Sequence, residues 1–258
     1  MATAIVACAR LGAHCEMFSL LGNDQIGDEI VSELEAEGAN TSHISRTLGA
    51  KSPFSFIHVD QDTGERTIFH RPAVGLEAPE DIDFSSIADC GALLVDDVYA
   101  EFAARAARVA RKHGVPVIAD CVPGPRSERL LPHVDVLIAP KHFAEKHGWH
   151  DDLDFALKAI HDLGPKTAVI TLGADGYVWS DGKTRGRGRA YDVEVVDTTG
   201  AGDVFHGAFA YGLTMGWNTA QCCDFAAAVA AIKCTKRGGR TGIPNLEQAL
   251  AFMADRQN

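Results

Sequence analysis

A Gly-Ala-Gly turn and an aspartate stand just ahead of a long helical pattern. Gly200, Ala201 and Gly202 form the turn, Asp203 follows directly, and the helical pattern continues to Met215. Such a turn leaves backbone N–H groups free at the helix N-terminus, where the helix dipole also favours negative charge. The spacing therefore predicts an anion hole with a carboxylate beside it.

Helix capping offers a purely structural explanation for Asp203, because aspartate is a common residue at helix starts. A cap requires neither a second aspartate six residues upstream, Asp197, nor the Thr-Thr pair that follows it. The whole block therefore favours binding of an anionic group. His206, one turn past Asp203, is the only histidine in a functional position, and a buried structural histidine is the favoured interpretation of it.

The block 197–207 resembles the signature of the PfkB/ribokinase family of carbohydrate kinases. Similar blocks follow the order of the family along nearly the whole chain. Two segments, 202–207 and 233–244, are most similar to bacterial sulfofructose-kinase-like members. The other matching blocks lie at 9–12, 22–27, 34–38 and 171–176.

The resemblance implies transfer of the γ-phosphoryl group of ATP, with Mg²⁺, to a hydroxyl of a sugar or sugar derivative. Phosphoryl transfer depends mostly on positioning and on neutralising charge. Asp203 would accept the hydroxyl proton, a role typically worth ~10²–10⁴ in rate, and Gly200, Ala201 and Gly202 would form the anion hole. The alternatives are a nucleoside kinase of the same fold and a catalytically impaired chain that only binds ligand.

Further roles follow from the resemblance, each beside a structural alternative. One set would bind the nucleotide: Thr171, Gly173, Gly176 and Lys141. The structural alternatives are a plain strand-to-turn connection for the first three residues and a solvated side chain for the lysine. A second set would hold K⁺, although a loop-bracing hydrogen-bond network is the alternative: Asp197, Thr199, Lys233 and Gly238. Thr3 falls where a polar residue of the sugar pocket is expected.

Two departures from the family pattern bear on activity. The Asn-x-x-Glu motif associated with magnesium and phosphate is absent, since Lys141 to Ala144 stand in its place after Pro140. The chain also opens on a helical pattern at 2–11, without the central strand, lid strands and Gly-Gly pair that members place before it. We therefore expect an incomplete lid and weak sugar binding.

The remaining pattern alternates apolar strands with amphipathic helices, and this predicts a parallel sheet with helices on both faces. The fold class expected is a ribokinase-like three-layer α/β/α domain spanning residues 1–258, mostly helical from Ala201 onward. Two runs alternating with period two, around Asp62-Thr63-Gly64, predict a hairpin. The resemblance implies that this hairpin belongs to a small lid at about 52–71, through which the chain would form a homodimer. The patterns are strands at 92–95, 115–119, 134–139 and 168–172, a helix at 101–113, and hairpin strands at 54–59 and 66–70.

Composition limits the partners and the compartment. The net charge of −11 disfavours nucleic acid and anionic membranes, and the basic stretch 183–189 is interpreted as a solvated turn. No apolar run is long enough to span a bilayer. The seven cysteines form no Cys-x-x-Cys pair, which indicates reduced thiols in a cytoplasmic protein.

Overall fold

The computed structural model describes residues 1–59, 66–149 and 152–256, which fold into two compact units. The larger unit comprises residues 1–13 and 83–258, and the smaller unit comprises residues 14–82. The assignment of all 258 residues to one kinase domain stays a prediction. None of the helices in these described ranges has the length and apolar character that crossing a membrane requires.

The larger unit contains a six-stranded sheet in the order β10-β9-β8-β7-β6-β5. Strands β5 to β8 are parallel, as predicted, whereas β9 and β10 add an antiparallel edge. The sheet is therefore mixed rather than purely parallel. Its strands are β5 (Leu93–Asp96), β6 (Val117–Asp120), β7 (Val136–Pro140), β8 (Thr167–Thr171), β9 (Tyr177–Ser180) and β10 (Arg185–Gly188).

Helices cover both sides of this sheet. Helices α3 and α7 pack against β5 and β6, α6 packs against β8 and β9, and α8 packs against β9 and β10. The inner strands are almost fully buried, which explains their continuous Val, Ile and Ala runs. The helices are α1 (Ala2–Arg10), α3 (Ala100–Lys112), α4 (Pro125–Leu130), α5 (Lys141–Lys146), α6 (Leu153–Asp162), α7 (Ala201–Thr214), α8 (Thr219–Cys234) and α9 (Leu246–Ala254).

The basic stretch 183–189 is part of the sheet, so its interpretation as a solvated turn was wrong. Strand β10 runs through it and pairs with β9. The glycines at 186 and 188 lie directly against the rings of Trp179 and Tyr177, where a Cβ atom would collide with the aromatic ring. The aromatic residues of β9 thus cover a strand whose own residues have little strand propensity.

Helix α1 packs along α7, the helix that begins at the predicted anion hole. The contact is close because Gly207 lies against the carbonyl oxygen of Ala4, leaving no room for a side chain. Cys8 Sγ also donates to the carbonyl oxygen of Gly207 at 3.1 Å. This packing fixes the start of α7 against the beginning of the chain.

The smaller unit contains α2 (Gln25–Ala36), a parallel pair of strands, β1 (Ser19–Gly22) and β2 (Ile44–Thr47), and a hairpin, β3 (Phe54–Val59) and β4 (Arg66–Arg71). Asp24 caps α2: its Oδ1 accepts hydrogen bonds from the Gly27 amide (3.0 Å) and the Ser52 hydroxyl (2.6 Å). The Ser52 hydroxyl bond, the largest cause, and the Gly27 bond lower the pKa of Asp24 to about 2.

The antiparallel pairing of β3 with β4 confirms the predicted hairpin strands, with Phe56 opposite Phe69 and Ile57 opposite Ile68. The predicted turn at 62–64 lies outside the described residues. All four of these apolar side chains are exposed, and they point to both faces of the hairpin.

Candidate active site

Helix α7 begins at the predicted anion hole. Gly200 takes a left-handed conformation (φ 75°) at the N-cap, and the helix starts at Ala201. Asp203 therefore lies in the first turn, with its side chain 33% exposed and Oδ1 3.3 Å from the Met1 amino nitrogen. Apart from its own helix turn and chain neighbours, a Cβ at Gly202 would meet no atom of the described residues within 4 Å, so the space beside this backbone is open to a ligand.

Gly200 brings three segments of the chain together. A Cβ at this position would lie 3.0 Å from the carbonyl oxygen of Gly239 and 3.2 Å from Cγ2 of Thr3. The loop between α8 and α9 (residues 235–245, the late loop) and the first turn of α1 therefore form walls beside the predicted anion hole. Thr3, the predicted sugar-pocket residue, touches the turn itself.

Asp197 connects the turn to the late loop. Its Oδ1 accepts a hydrogen bond from the Thr199 amide and its Oδ2 accepts one from the Gly238 amide, both at 2.8 Å. Burial raises the pKa of the Asp197 carboxyl. The hydrogen bonds from Thr199 and Gly238 and the charge of Lys233 outweigh this effect and hold that pKa at about 2.

Lys233 lies beneath the same segment and is fully buried, at 0% exposure. Its Nζ donates to the backbone carbonyl oxygen of Asp197 at 2.8 Å. The four residues predicted to hold K⁺ are therefore brought together, and one of them contributes an ammonium group to the cluster.

His206 is buried on α7, with a carbonyl oxygen facing each ring nitrogen. Nδ1 lies 2.7 Å from the Gly202 oxygen, and Nε2 lies 3.0 Å from the Ile138 oxygen. Asp120 Oδ1, at the end of β6, lies 3.9 Å from Nε2. A neutral imidazole can donate to only one of these carbonyl oxygens, and the contacts are those of a buried histidine that bridges the predicted anion hole and the sheet.

Asp97 is a candidate that the sequence analysis missed. It follows β5 directly and is 5% exposed, and among the described residues its Oδ2 is a buried oxygen with no hydrogen-bond partner. Burial raises the pKa of Asp97, while the charge of Arg126 opposes this shift. The two aspartates at 96–97 could have indicated it, because ligands of open α/β sheets bind at the carboxyl ends of strands.

The predicted nucleotide residues lie at the carboxyl ends of β7 and β8. Thr171 ends β8, and Gly173 takes a left-handed conformation (φ 63°) with open space around it. Gly176 (φ 89°) lies directly against the Gly188 carbonyl oxygen, and this close approach by itself requires a glycine. Lys141 begins α5, with an exposed side chain 4.0 Å from Glu145.

Coordination of a metal ion by side chains alone requires several His, Cys, Asp or Glu residues close together. Within residues 1–59, 66–149 and 152–256, no three His, Cys, Asp or Glu side chains are grouped so that they could hold a metal ion. Mg²⁺ commonly binds through one or two carboxylates together with substrate phosphates and water.

Comparison with known proteins identifies the chain. A model of the pfkB family carbohydrate kinases matches residues 2–246. The Haemophilus influenzae ribokinase is 32% identical over 259 residues, covering 96% of this chain and 84% of that protein. The structure of Thermotoga maritima ribokinase matches with a TM-score of 0.85 at 28% identity, covering 98% of this chain and 86% of that one.

A third similarity concerns the fold alone. Arabidopsis thaliana ribokinase, solved with ribose and ATP, has a TM-score of 0.87 and 24% identity, with 98% of this chain and 86% of that one covered. The fold and these similarities define a sugar kinase. The chain belongs to the pfkB family of carbohydrate kinases. The predicted family, ribokinase-like fold and enzyme class are confirmed, and the roles of individual residues stay predictions.

Proposed function

We propose that this chain transfers the γ-phosphoryl group of ATP to a sugar hydroxyl, with Asp203 as the general base. The observation that carries the proposal is the position of Asp203 in the first turn of α7, directly after the open backbone of Gly202. The base and the phosphoryl-binding backbone then belong to one rigid helical turn. Such a turn orients the hydroxyl and the phosphoryl group together.

The Ala201 amide already donates to the Thr198 carbonyl oxygen at 3.1 Å, so the amides of Gly200 and Gly202 neutralise the charge that develops on the transferred group. Their N–H groups lie at the positive end of the α7 dipole, where hydrogen bonds to an anion strengthen once water is excluded. The absence of protein atoms around the Gly202 Cβ position leaves room for phosphoryl oxygens. Asp203 takes the proton of the attacking hydroxyl as the new P–O bond forms, and the bond between the γ-phosphorus and the β,γ-bridging oxygen breaks so that ADP leaves.

The donor nucleotide lies along the ends of β7 and β8 in this proposal. The open turn at Gly173 contacts the nucleotide beside Thr171, and Gly176 keeps that turn close to β10. Lys141 is exposed and supplies a mobile positive charge for a phosphate. Mg²⁺, when bound with ATP, neutralises charge on the β- and γ-phosphates.

The acceptor is a neutral or acidic sugar, including sulfosugars. Asp97 supports a polyhydroxylated acceptor because its buried Oδ2 has no partner within the described residues and a sugar hydroxyl can donate to it. Thr3 adds a hydroxyl beside Gly200. A ribose-type sugar is the first acceptor to test, since ribokinases are among the similar proteins.

A coupled assay of ADP release tests the proposal over ribose, deoxyribose, fructose, sulfofructose, sugar acids and nucleosides. We expect Asp203→Asn to keep ATP affinity and to lower kcat by ~10²-fold or more on the accepted substrate. Asp152 is the matched control, because its carboxylate caps α6 through the Phe155 amide at 2.9 Å. Asp152→Asn should keep that cap, because asparagine caps helices about as well as aspartate, and should leave kcat unchanged.

The outcomes separate the alternatives. Full activity of Asp203→Asn would contradict the base assignment and leave helix capping as the role of this carboxylate. Turnover of nucleosides alone would favour a nucleoside kinase. ATP binding without turnover of any acceptor would identify a catalytically impaired binding protein.

The hairpin β3–β4 supports a homodimer. Its exposed Phe56, Phe69, Ile57 and Ile68 lie on both faces of a two-stranded sheet, and such a sheet is only marginally stable alone. A second copy of this chain, offering the same apolar hairpin, covers these side chains by a self-complementary contact.

Binding of a K⁺ ion at Asp197, which the family resemblance implies, stays a prediction.

A further inference from the structure

A lysine ammonium is buried directly behind the anion hole. Lys233 belongs to α8, has no exposed surface, and donates from Nζ to the Asp197 carbonyl oxygen at 2.8 Å. Lysine is almost never fully buried unless it is paired, because an uncompensated charge in the interior is costly. The position of this ammonium therefore requires a compensating group.

Asp197 supplies a negative charge near this ammonium, since the charge of Lys233 contributes to the lowered pKa of its carboxyl, and it holds the framework of the predicted anion hole. Its carboxylate binds the amides of Thr199 and Gly238, while its own amide donates to the Cys234 carbonyl oxygen at 3.1 Å. The segment before Gly200, the end of α8 and the late loop thus meet at one residue. A cation at this point fixes all three segments.

The residues predicted to bind K⁺ do not fit a second monovalent cation here. The carbonyl oxygen of Asp197 already meets an ammonium, and each of its carboxylate oxygens already accepts a hydrogen bond. The single negative charge of Asp197 is matched by the charge of Lys233. Another cation beside Asp197 would experience repulsion from this buried ammonium with little water to screen it.

We propose that the Lys233 ammonium is a built-in replacement for a monovalent cation, and that it makes this kinase independent of potassium. The proposal rests on the function proposed above, since it concerns the anion hole of that reaction. Lys233 is a positioning residue: it touches no substrate and acts through Asp197 on the turn 200–202. Ammonium and potassium ions make similar contacts with carbonyl oxygens, so one can take the place of the other.

The unmodified protein gives the first test. Its turnover, ATP affinity and melting temperature are measured in chloride salts of K⁺, Na⁺, NH₄⁺ and tetramethylammonium at equal ionic strength. Tetramethylammonium is too large to enter a carbonyl-lined site. We expect the same values in all four salts. Activation or tighter ATP binding in K⁺, relative to tetramethylammonium, would overturn the proposal.

Variants at Lys233 provide the second test. Lys233→Gln keeps a hydrogen-bond donor without the charge, and Lys233→Met keeps the apolar stem. In tetramethylammonium we expect both to lose about tenfold in ATP affinity, a size usual for residues that orient a binding group without touching the ligand. K⁺ or NH₄⁺ should restore much of this loss and raise the melting temperature.

The control is Lys166→Gln, which removes an exposed lysine paired with Asp135 at 2.9 Å. It should not respond to the choice of salt. A loss in the Lys233 variants that is equal in every salt would mean that the lysine acts only by packing, and the proposal would fail. An inactive protein would contradict the proposed function. Its melting temperature and ATP affinity could still be measured in each salt, and these values would decide the role of Lys233. If the Lys233 variants misfold, the salt series on the unmodified protein still decides whether the proposal holds.

Discussion

His206 Nδ1 lies 2.7 Å from the carbonyl oxygen of Gly202, so the histidine holds the backbone of the anion hole from behind. Its other nitrogen meets the carbonyl oxygen of Ile138 on β7. The ring therefore connects the first turn of α7 to a central strand. If the Gly202 backbone binds the phosphoryl group as proposed, His206 sets the position of that backbone without contacting the substrate.

Replacing this histidine should affect both stability and rate. His206→Asn cannot reach both carbonyl oxygens, and we expect unfolding to become easier by about 1–3 kcal/mol because buried polar groups lose partners. The displaced Gly202 should also lower kcat. Chemical unfolding and the ADP-release assay measure the two effects.

His161 provides the matched control. Its two ring nitrogens likewise have partners, the Pro165 carbonyl oxygen and the Ser180 hydroxyl, both at 2.9 Å. His161→Asn should destabilise the protein without changing kcat at a temperature where it stays folded. Equal kcat values for the two variants would contradict the positioning role of His206.

Two glycine-to-alanine changes should have opposite consequences. At Gly202 a Cβ meets no protein atom, so Gly202→Ala should keep or raise the melting temperature, as alanine favours helices, and should lower kcat by crowding the phosphoryl group. At Gly176 a Cβ collides with the Gly188 carbonyl oxygen at φ 89°. Gly176→Ala should therefore destabilise the fold by more than about 1 kcal/mol.

Thermal melting and steady-state kinetics on the two variants check this pair. A folded Gly202→Ala protein with unchanged kcat would mean that no ligand approaches that backbone. A Gly176→Ala protein with unchanged stability would mean that the close contact with Gly188 relaxes easily.

Acid should weaken the smaller unit through Asp24. The pKa of Asp24 in the folded protein is about 2, chiefly because of the Ser52 and Gly27 hydrogen bonds, and lies near 3.9 in an unfolded chain. A lowered folded-state pKa contributes stability that is complete above about pH 4 and lost as pH falls toward about 2. Asp24→Asn should lower stability at neutral pH and flatten this acid dependence.

Urea unfolding at a series of pH values measures the Asp24 effect. If the free energy of unfolding changes with pH equally in the variant and the unmodified protein, the Asp24 carboxylate makes no pH-dependent contribution to stability in this range.

The exposed hairpin predicts the oligomeric state. Changing Phe56 and Phe69 together to serine removes the paired aromatic surface, whose ring centroids lie 6.1 Å apart, and should convert a dimer to a monomer in sedimentation. Phe155→Ser is the control, since Phe155 is an exposed aromatic residue on α6. A monomeric unmodified protein, or a dimer that survives the double change, would contradict the proposed contact.

Much of the fold follows from local sequence patterns. The strand pattern at 168–172 corresponds to β8, Thr167–Thr171, and the helical pattern at 101–113 to α3, Ala100–Lys112. These elements can be predicted from the sequence because a strand buried on both faces is a continuous apolar run. A helix buried on one face has apolar residues that recur with the helical period. The turn before Asp203 was recognised because glycines mark a helix start with a special conformation.

The rest depends on contacts between distant residues. Strand β10 was missed because its glycines gain their strand conformation from Trp179 and Tyr177, which no local pattern in 185–188 reveals. The sequence did not indicate Asp97, because only the folded structure shows that its Oδ2 is buried without a hydrogen-bond partner among the described residues. The burial of Lys233 likewise appears only when α8 packs beneath Asp197.

The contact between α1 and α7 has a consequence for how the protein folds. The hydrogen bond from Cys8 to Gly207 joins residues 199 positions apart, and the bond from Arg10 to the Arg240 carbonyl oxygen joins residues 230 positions apart. Loops of this length close slowly, and a fold dominated by such contacts has a high contact order. The anion hole can therefore assemble only after nearly the entire chain has left the ribosome. Until then, the apolar face of α1 has no partner and stays open to aggregation or to chaperones.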